Sequence, residues 1–242
     1  MTLFLTSSPC VPEASRAVLN PANGFVERLR AALPEQPRCL YICSDPDGYE
    51  LTDYYGNEMA EAFAEAGIEF KEFVTLDHRN GADTRMLLWK SDLVILAGGH
   101  VPTQNAFFRE IGLKELLKDY QGVVMGISAG TMNAAREVYA QPEREGESED
   151  PAYQRFLPGL GLTDIRVLPH YQQCKDDILD GKRLFEEITY MDSIGRTFFA
   201  FPDGTYYYQA GTSTVIFGEC YRIRDCMMKE VCEEGRALFE IW

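Results

Sequence analysis

Continuous apolar runs of strand length alternate with longer amphipathic segments through the first half of the chain. An apolar run without regular alternation is typical of a strand that is buried on both faces of a sheet. This pattern predicts strands at Leu3–Ser8, Cys39–Ser44, Phe70–Val74, Asp92–Gly99 and Val123–Ser128.

The segments between these runs have helical periodicity, with one apolar face each. They predict helices at Asn20–Leu33, Thr52–Ala66, Asp83–Lys90 and Thr103–Asp119. Strands and helices that alternate in this way predict an α/β fold. We expect a mainly parallel, doubly wound sheet with helices on both faces.

The last third of the chain is richer in short strand-like runs. We predict strands at Arg166–His170, Arg196–Phe201, Thr205–Gln209, Thr214–Phe217 and Glu219–Arg224, with one helix at Lys175–Ile188. Asp203-Gly204 is a strong hairpin signal, so we expect a C-terminal β-hairpin extension of the fold. Because no repeat or linker composition interrupts the pattern, we predict a single domain over residues 1–242.

Residues 141–153 form a charged stretch without periodicity, which we interpret as a solvated insertion. The alternative is a mobile flap over an active site.

Composition and charge narrow the function classes. The formal net charge of −15 argues against nucleic-acid or membrane-surface binding as the main activity. No apolar stretch approaches the roughly 20 residues that span a bilayer, and the amino terminus does not resemble a signal peptide. Seven scattered cysteines and only three histidines give no zinc-ligand spacing. We therefore expect a cytoplasmic protein with reduced thiols and no metal or cofactor.

The most specific chemical signal is Gly126-Ile127-Ser128-Ala129-Gly130, which directly follows an apolar strand. A strand that enters G-x-S-x-G and turns at once into a helix exposes the serine hydroxyl at the strand end. The Ala129 N–H would then lie at a helix N-terminus, where it can stabilise an oxyanion. The alternative is a serine that only caps a helix.

Two further motifs are expected at the same rim, because open α/β sheets bind ligands at the carboxyl ends of their strands. Gly98-Gly99-His100 ends one predicted strand and His170 ends another, which we place on the same sheet edge as Ser128. An imidazole there suits the task of a general base for the hydroxyl. Asp203 is the leading candidate for the acid that orients the imidazole, and Glu143 and Glu137 are the reserves.

These motifs, in this order, resemble the peptidase E family of serine peptidases, family S51. That family includes the cyanophycinases and is structurally similar to class I glutamine amidotransferases. The resemblance covers nearly the whole chain. It is carried by Gly98-Gly99-His100 with Thr103-Gln104, Gly126–Gly130, Pro169-His170 and Pro202-Asp203-Gly204.

The resemblance implies roles for these residues. Ser128 would be the nucleophile and His170 the general base, with Asp203 completing the triad. Gly99 and Ala129 would supply the oxyanion hole. Gly98 and His100 would contact substrate. The chain departs from the family pattern in two places: His100 stands where Asn is usual, and Asp203 where Glu is common.

The resemblance implies an intracellular serine peptidase that hydrolyses short peptides through an acyl-enzyme, with Asp-Xaa dipeptides as a known substrate class of the family. An acidic substrate would need a local cationic pocket, for which the sequence offers Arg136, Arg155, Arg166 and Lys175. We expect a small peptide as the only ligand and a monomer or homodimer.

Three alternatives remain open at this point. A glutamine-amidotransferase-like amide hydrolase would use a cysteine at the elbow, where this chain has Ser128. An α/β-hydrolase esterase would carry its acid between Ser128 and His170, a separation of about 40 residues that is short for the strands this fold needs. A catalytically silent member would bind a ligand or a regulatory partner.

Overall fold

The computed structural model of the protein describes residues 1–12, 14–239 and 241. In chain order its strands are β1 Thr2–Thr6, β2 Arg38–Ile42, β3 Glu72–Leu76, β4 Leu93–Leu96, β5 Val123–Ile127, β6 Glu137–Tyr139, β7 Phe156–Pro158, β8 Val167–Leu168, β9 Ile178–Leu179, β10 Lys182–Arg183, β11 Thr197–Ala200, β12 Tyr206–Ala210, β13 Ser213–Phe217, β14 Cys220–Arg224, β15 Met227–Cys232 and β16 Ala237–Phe239.

The α-helices are α1 Phe25–Ala32, α2 Tyr49–Glu65, α3 Thr84–Lys90, α4 Val101–Glu110, α5 Leu113–Leu117, α6 Ala129–Asn133, α7 Tyr171–Cys174 and α8 Tyr190–Asp192. Short 3₁₀ turns precede α1 and α3, and a π-helical segment, Leu184–Thr189, precedes α8. None of the described helices is both long enough and apolar enough to cross a membrane.

The larger sheet has eight strands in the order β16-β13-β12-β1-β5-β4-β2-β3. The five strands from β1 to β3 in this order are parallel. The other three extend the sheet beyond β1 and are antiparallel. The predicted α/β fold with a mainly parallel sheet is confirmed, and its C-terminal hairpin extension is formed by β12 and β13 rather than at Asp203-Gly204.

Apolar side chains from successive strand residues enter two separate clusters, one on each face of this sheet. Leu5 belongs to the cluster that includes Phe107 of α4 and Leu117 of α5. Phe4, the preceding residue, belongs to the cluster that includes Phe63 of α2. Burial on both faces is the reason that these strands are continuously apolar in the sequence.

A second sheet of four strands, β15-β14-β11-β8, carries the chain segments around His170. β8 pairs in parallel with β11, with Leu168 opposite Ala200. The expectation that His170 and Ser128 share one sheet edge is therefore wrong, because β8 belongs to the second sheet and β5 to the first. A third apolar cluster joins this second sheet to α6.

Three predicted elements differ from the structure. The segment Lys175–Ile188 is not one helix: it contains the β9–β10 hairpin, with Asp180 and Gly181 at positive φ, and then the π-helical segment. Thr103–Asp119 is divided into α4 and α5 at Gly112, which has φ +64°. Asp203-Gly204 forms a turn, but β11 and β12 on its two sides lie in different sheets, so it closes no hairpin.

Candidate active site

Ser128 occupies a sharp turn between β5 and α6. Its backbone has φ 48° and ψ −109°, which is a strained conformation for a residue other than glycine. β5 ends at Ile127 and α6 begins at Ala129. The serine is thus the single residue between strand and helix, which is the geometry typical of a nucleophile elbow.

The glycines of the motif are required by close packing around this turn. A Cβ atom on Gly126 would lie 2.7 Å from Thr131 Oγ1 and 2.8 Å from the Thr131 backbone nitrogen. A Cβ atom on Gly130 would collide with the carbonyl oxygen of Leu96. The absence of a side chain at both positions lets β4, β5 and α6 approach each other.

Two backbone amides beside Ser128 are free to donate. Neither the Gly99 N–H nor the Ala129 N–H donates a hydrogen bond to any residue that the structure describes. Gly99 has φ +145°, and a Cβ atom there would collide with Ser44. A Cβ atom on Gly98 would lie 3.4 Å from Ser128 Cβ. The glycine-rich turn after β4 therefore packs directly against the elbow.

His170 follows β8 and begins α7 with a left-handed backbone, φ 56°. Its Nδ1 atom is 2.8 Å from Asp203 Oδ1, and its backbone N–H donates to Ser7 Oγ at 2.6 Å. An Nδ1–H that donates to the carboxylate leaves the Nε2 lone pair available for a proton. The contact therefore favours the tautomer that a general base needs.

Asp203 has more partners than the sequence predicted. Its side chain is only 3% exposed. The carboxylate accepts hydrogen bonds from Ser7 Oγ at 2.7 Å and Gln173 Nε2 at 3.0 Å, and its backbone N–H donates to Gln172 Oε1 at 3.0 Å. The only sequence signal for Ser7 is its position directly after the first strand. The two glutamines closely follow His170.

These contacts determine the charge of Asp203. Burial acts to raise the pKa of Asp203, but hydrogen bonds from His170 and Ser7, and the charge of a protonated His170, outweigh it. The pKa of Asp203 is therefore lowered from its ordinary value. The carboxylate is ionised at neutral pH and can stabilise an imidazolium.

Ser128 and His170 line one cavity of about 280 Å³. No hydrogen bond links Ser128 Oγ to His170 or to any other residue in the described part of the chain. Catalytic hydrogen bonds are often long before substrate binds and tighten in the complex. A neighbouring cavity of about 450 Å³, with a largely apolar lining, meets the first at Gly99.

His100 contacts the charged loop and lines neither cavity. Its Nδ1 atom is 2.7 Å from Thr103 Oγ1, and its Nε2 atom is 2.9 Å from Glu147 Oε1. The ring is 12% exposed. Both ring nitrogens of His100 therefore already have partners within the protein. The structure does not place His100 at the cavity, where we expected it to contact substrate.

The loop 141–153 is not simply the solvated insertion that we expected. Glu147 accepts a hydrogen bond from the Glu143 backbone N–H at 2.9 Å in addition to its contact with His100. Asp180, in the β9–β10 turn, accepts from the Gly146 N–H at 2.7 Å. Through these hydrogen bonds the loop contacts both the glycine-rich turn and the β9–β10 hairpin. Part of the loop also lines the cavity that contains Ser128.

Among the three predicted acids, only Asp203 hydrogen-bonds His170 in the described structure. The ion-pair contact of Glu143 is with His100 Nε2, at 3.9 Å. Glu137 pairs with two arginines elsewhere. The structure therefore places Ser128 and His170 on one cavity, with Asp203 in contact with His170, and brings neither Glu143 nor Glu137 within hydrogen-bond distance of His170 in the described chain.

The cations suggested for an acidic substrate are elsewhere. Arg136, Arg155 and Arg166 each pair with a carboxylate of this chain. Lys175 is exposed. None of the four lines either cavity.

Comparison with known proteins agrees with these motifs. Residues 11–212 match the sequence model of Peptidase family S51. No curated protein matches this chain significantly. The fold is similar to that of a peptidase from an acI-B1 Actinobacterium, with a TM-score of 0.69 and 16% identity over 98% of this chain and 96% of that one. It is also similar to a candidate peptidase E protein from Listeria monocytogenes EGD-e, with a TM-score of 0.58 and 17% identity over 95% of this chain and 98% of that one. Because the family match spans most of the sequence, this chain belongs to peptidase family S51 and is a serine-type peptidase.

Proposed function

We propose that this peptidase hydrolyses short peptides with Ser128 as nucleophile, His170 as general base and Asp203 as the orienting acid. One observation carries the proposal. The imidazole held by Asp203 at 2.8 Å lines the same cavity as a serine in the strained turn of a nucleophile elbow. A serine that only capped a helix would need neither partner.

The chemistry follows from these positions. Ser128 Oγ attacks the scissile carbonyl carbon while His170 Nε2 accepts the hydroxyl proton. The Gly99 and Ala129 amides, both free to donate, stabilise the oxyanion that forms. The intermediate collapses as His170 passes its proton to the leaving amine, which breaks the C–N bond. Water, activated by His170, then hydrolyses the acyl-enzyme and restores the Ser128 hydroxyl.

The restricted size of the site supports short peptides as substrates. Residues of the loop 141–153 and of the β9–β10 hairpin line part of the cavity of about 280 Å³, and Asp180 joins the two segments. A cavity of this size suits a small ligand better than a folded chain.

A panel of dipeptides tests this function. The unmodified protein should release free amino acids, and Ser128→Ala should abolish turnover. His170→Ala should reduce kcat by roughly 10⁴-fold or more, as for triad members in general. If the Ser128→Ala and His170→Ala proteins both still cleaved the dipeptides, another residue would be the nucleophile. A protein that cleaves nothing would be a silent member of the family.

A further inference from the structure

We propose that Glu143 makes the cavity beside Ser128 select peptides that carry a cationic group at their amino-terminal residue. This inference rests on the proposed function, because it assumes that peptides are cleaved at Ser128. It departs from the preference for acidic residues that the family resemblance implied.

The cavity beside Ser128 is lined by more acidic than basic side chains. Glu143 and Asp177 line it, and the imidazole of His170 is the one basic group among its lining residues. No lysine or arginine of the described chain lies within ion-pair distance of either carboxylate. An acidic substrate side chain would therefore meet like charges, whereas a cation would meet carboxylates with no lysine or arginine partner, of which Glu143 has only the longer contact with His100 Nε2 at 3.9 Å.

Hydrogen bonds hold the backbone of Glu143 in position at the cavity. The backbone N–H of Glu143 donates to Glu147 Oε2 at 2.9 Å, and Glu147 Oε1 is 2.9 Å from His100 Nε2. The Glu147 side chain is only 14% exposed. This chain of contacts attaches the backbone of Glu143 to the turn that carries Gly99. The Glu143 carboxylate is 47% exposed and makes no hydrogen bond within the described part of the chain, so it is available to a ligand in the cavity.

The electrostatic surroundings of Glu143 agree with a missing cation. Burial, and then the charge of Glu147, raise the pKa of Glu143 to about 7, while Arg144 and His170 act to lower it. His100 approaches the carboxylate only to 3.9 Å. A bound ammonium group would stabilise the ionised carboxylate and return the pKa toward its ordinary range.

The cation can come from two parts of a peptide. One source is the free α-amino group of an amino-terminal residue, and the other is a lysine or arginine side chain at that residue. Both present N–H donors and a positive charge to a carboxylate. N-terminal acetylation removes the first source and leaves the second, so it distinguishes them.

Calorimetric binding to the Ser128→Ala protein measures this preference without turnover. We would use Lys-Ala, Ala-Ala and Asp-Ala, each with a free and with an acetylated amino terminus. Lys-Ala, or the peptides with a free amino terminus, should bind at least about tenfold more tightly than acetylated Asp-Ala. A tenfold change in affinity is the low end of the effect of a hydrogen bond to a charged group.

Two substitutions assign the preference to Glu143. Glu143→Gln in the Ser128→Ala background should reduce the ratio of cationic to acidic affinity by about tenfold, and Glu143→Lys should reverse it. The matched control is Glu149→Gln in the same loop, because Glu149 is exposed, contacts Lys182 at 3.5 Å and does not line the cavity. Its affinity ratio should equal that of the parent protein.

The inference is wrong if acetylated Asp-Ala, which carries no cationic group, binds as tightly as Lys-Ala with a free amino terminus. It is also wrong if Glu143→Gln and Glu149→Gln have the same affinity ratio. Failure of the proposed function has a different signature. Unmodified protein that binds cationic peptides but cleaves none of them would reject Ser128 as a nucleophile while retaining the selectivity of Glu143.

Discussion

The contacts around Asp203 are those that the proposed acid of the triad would need, although its side chain is shorter than a glutamate. The Asp203 carboxylate receives hydrogen bonds from His170 and Ser7 through the same oxygen, Oδ1, and from Gln173 through Oδ2. Ser7 also accepts from the His170 backbone N–H. The serine therefore connects the acid to the backbone that carries the base, which fixes both partners.

We predict that Asp203→Asn lowers kcat by about 10⁴-fold, because an amide cannot hold the imidazole in the required tautomer or stabilise its cation. Steady-state kinetics on a cleaved dipeptide measures this change. The control is Asp164→Asn, since Asp164 is exposed and pairs with Arg136 at 3.0 Å. Equal kcat values for the two variants would remove Asp203 from the mechanism.

The sequence indicated the strand-end positions of the three residues of the proposed triad, but not the residues that contact them. Ser128, His170 and Asp203 each follow a strand-like run, so their positions at strand ends could be inferred. Ser7 and Asp203 are 196 residues apart, and no local pattern links them. The contact of His100 with Glu147 was equally invisible, because it joins a turn to a loop without periodicity.

Among the secondary-structure elements, the elbow depends on the packing of α6 against two strands. The Gly130 Cα lies so close to the Leu96 carbonyl that a methyl group has no space. The strained backbone of Ser128 is maintained by the elements on both sides. The stability of the fold and the position of Ser128, the proposed nucleophile, are therefore coupled in this motif.

We predict that Gly130→Ala lowers the free energy of unfolding by about 1–3 kcal/mol, the usual cost of overpacking. Chemical denaturation measures the change. Gly81→Ala is the matched control, because its Cβ atom would meet only Ile111 at an ordinary 3.7 Å. That variant should be unchanged or stabilised by up to about 1 kcal/mol. Equal stabilities would contradict the packing argument.

Element prediction succeeded where one local rule dominated and failed where distant contacts decided. The buried strands of the larger sheet were recognised because continuous apolar runs have few other structural solutions. Lys175–Ile188 had helical periodicity, but Asp180 and Gly181 adopt positive φ and form a turn. The contact of Asp180 with Gly146 in the charged loop favours that turn, and the sequence pattern does not contain it.

The whole molecule forms its candidate site between two sheets. Ser128 and the free amides of Gly99 and Ala129 follow strands of the eight-stranded sheet. His170 follows β8, which belongs to the four-stranded sheet. Asp203 lies in the connection from one sheet to the other. The chain order of the motifs could be predicted, but their distribution over two sheets depends on strand pairings that the sequence does not specify.

The proposed function requires that this assembly activates the Ser128 hydroxyl. Incubation with a fluorophosphonate probe, followed by mass spectrometry of the intact protein and of its peptides, measures that activation. We predict one adduct per chain, located on Ser128 and strongly slowed by His170→Ala. Folded protein that remains unlabelled, or that carries its adduct on another residue, would contradict the claim.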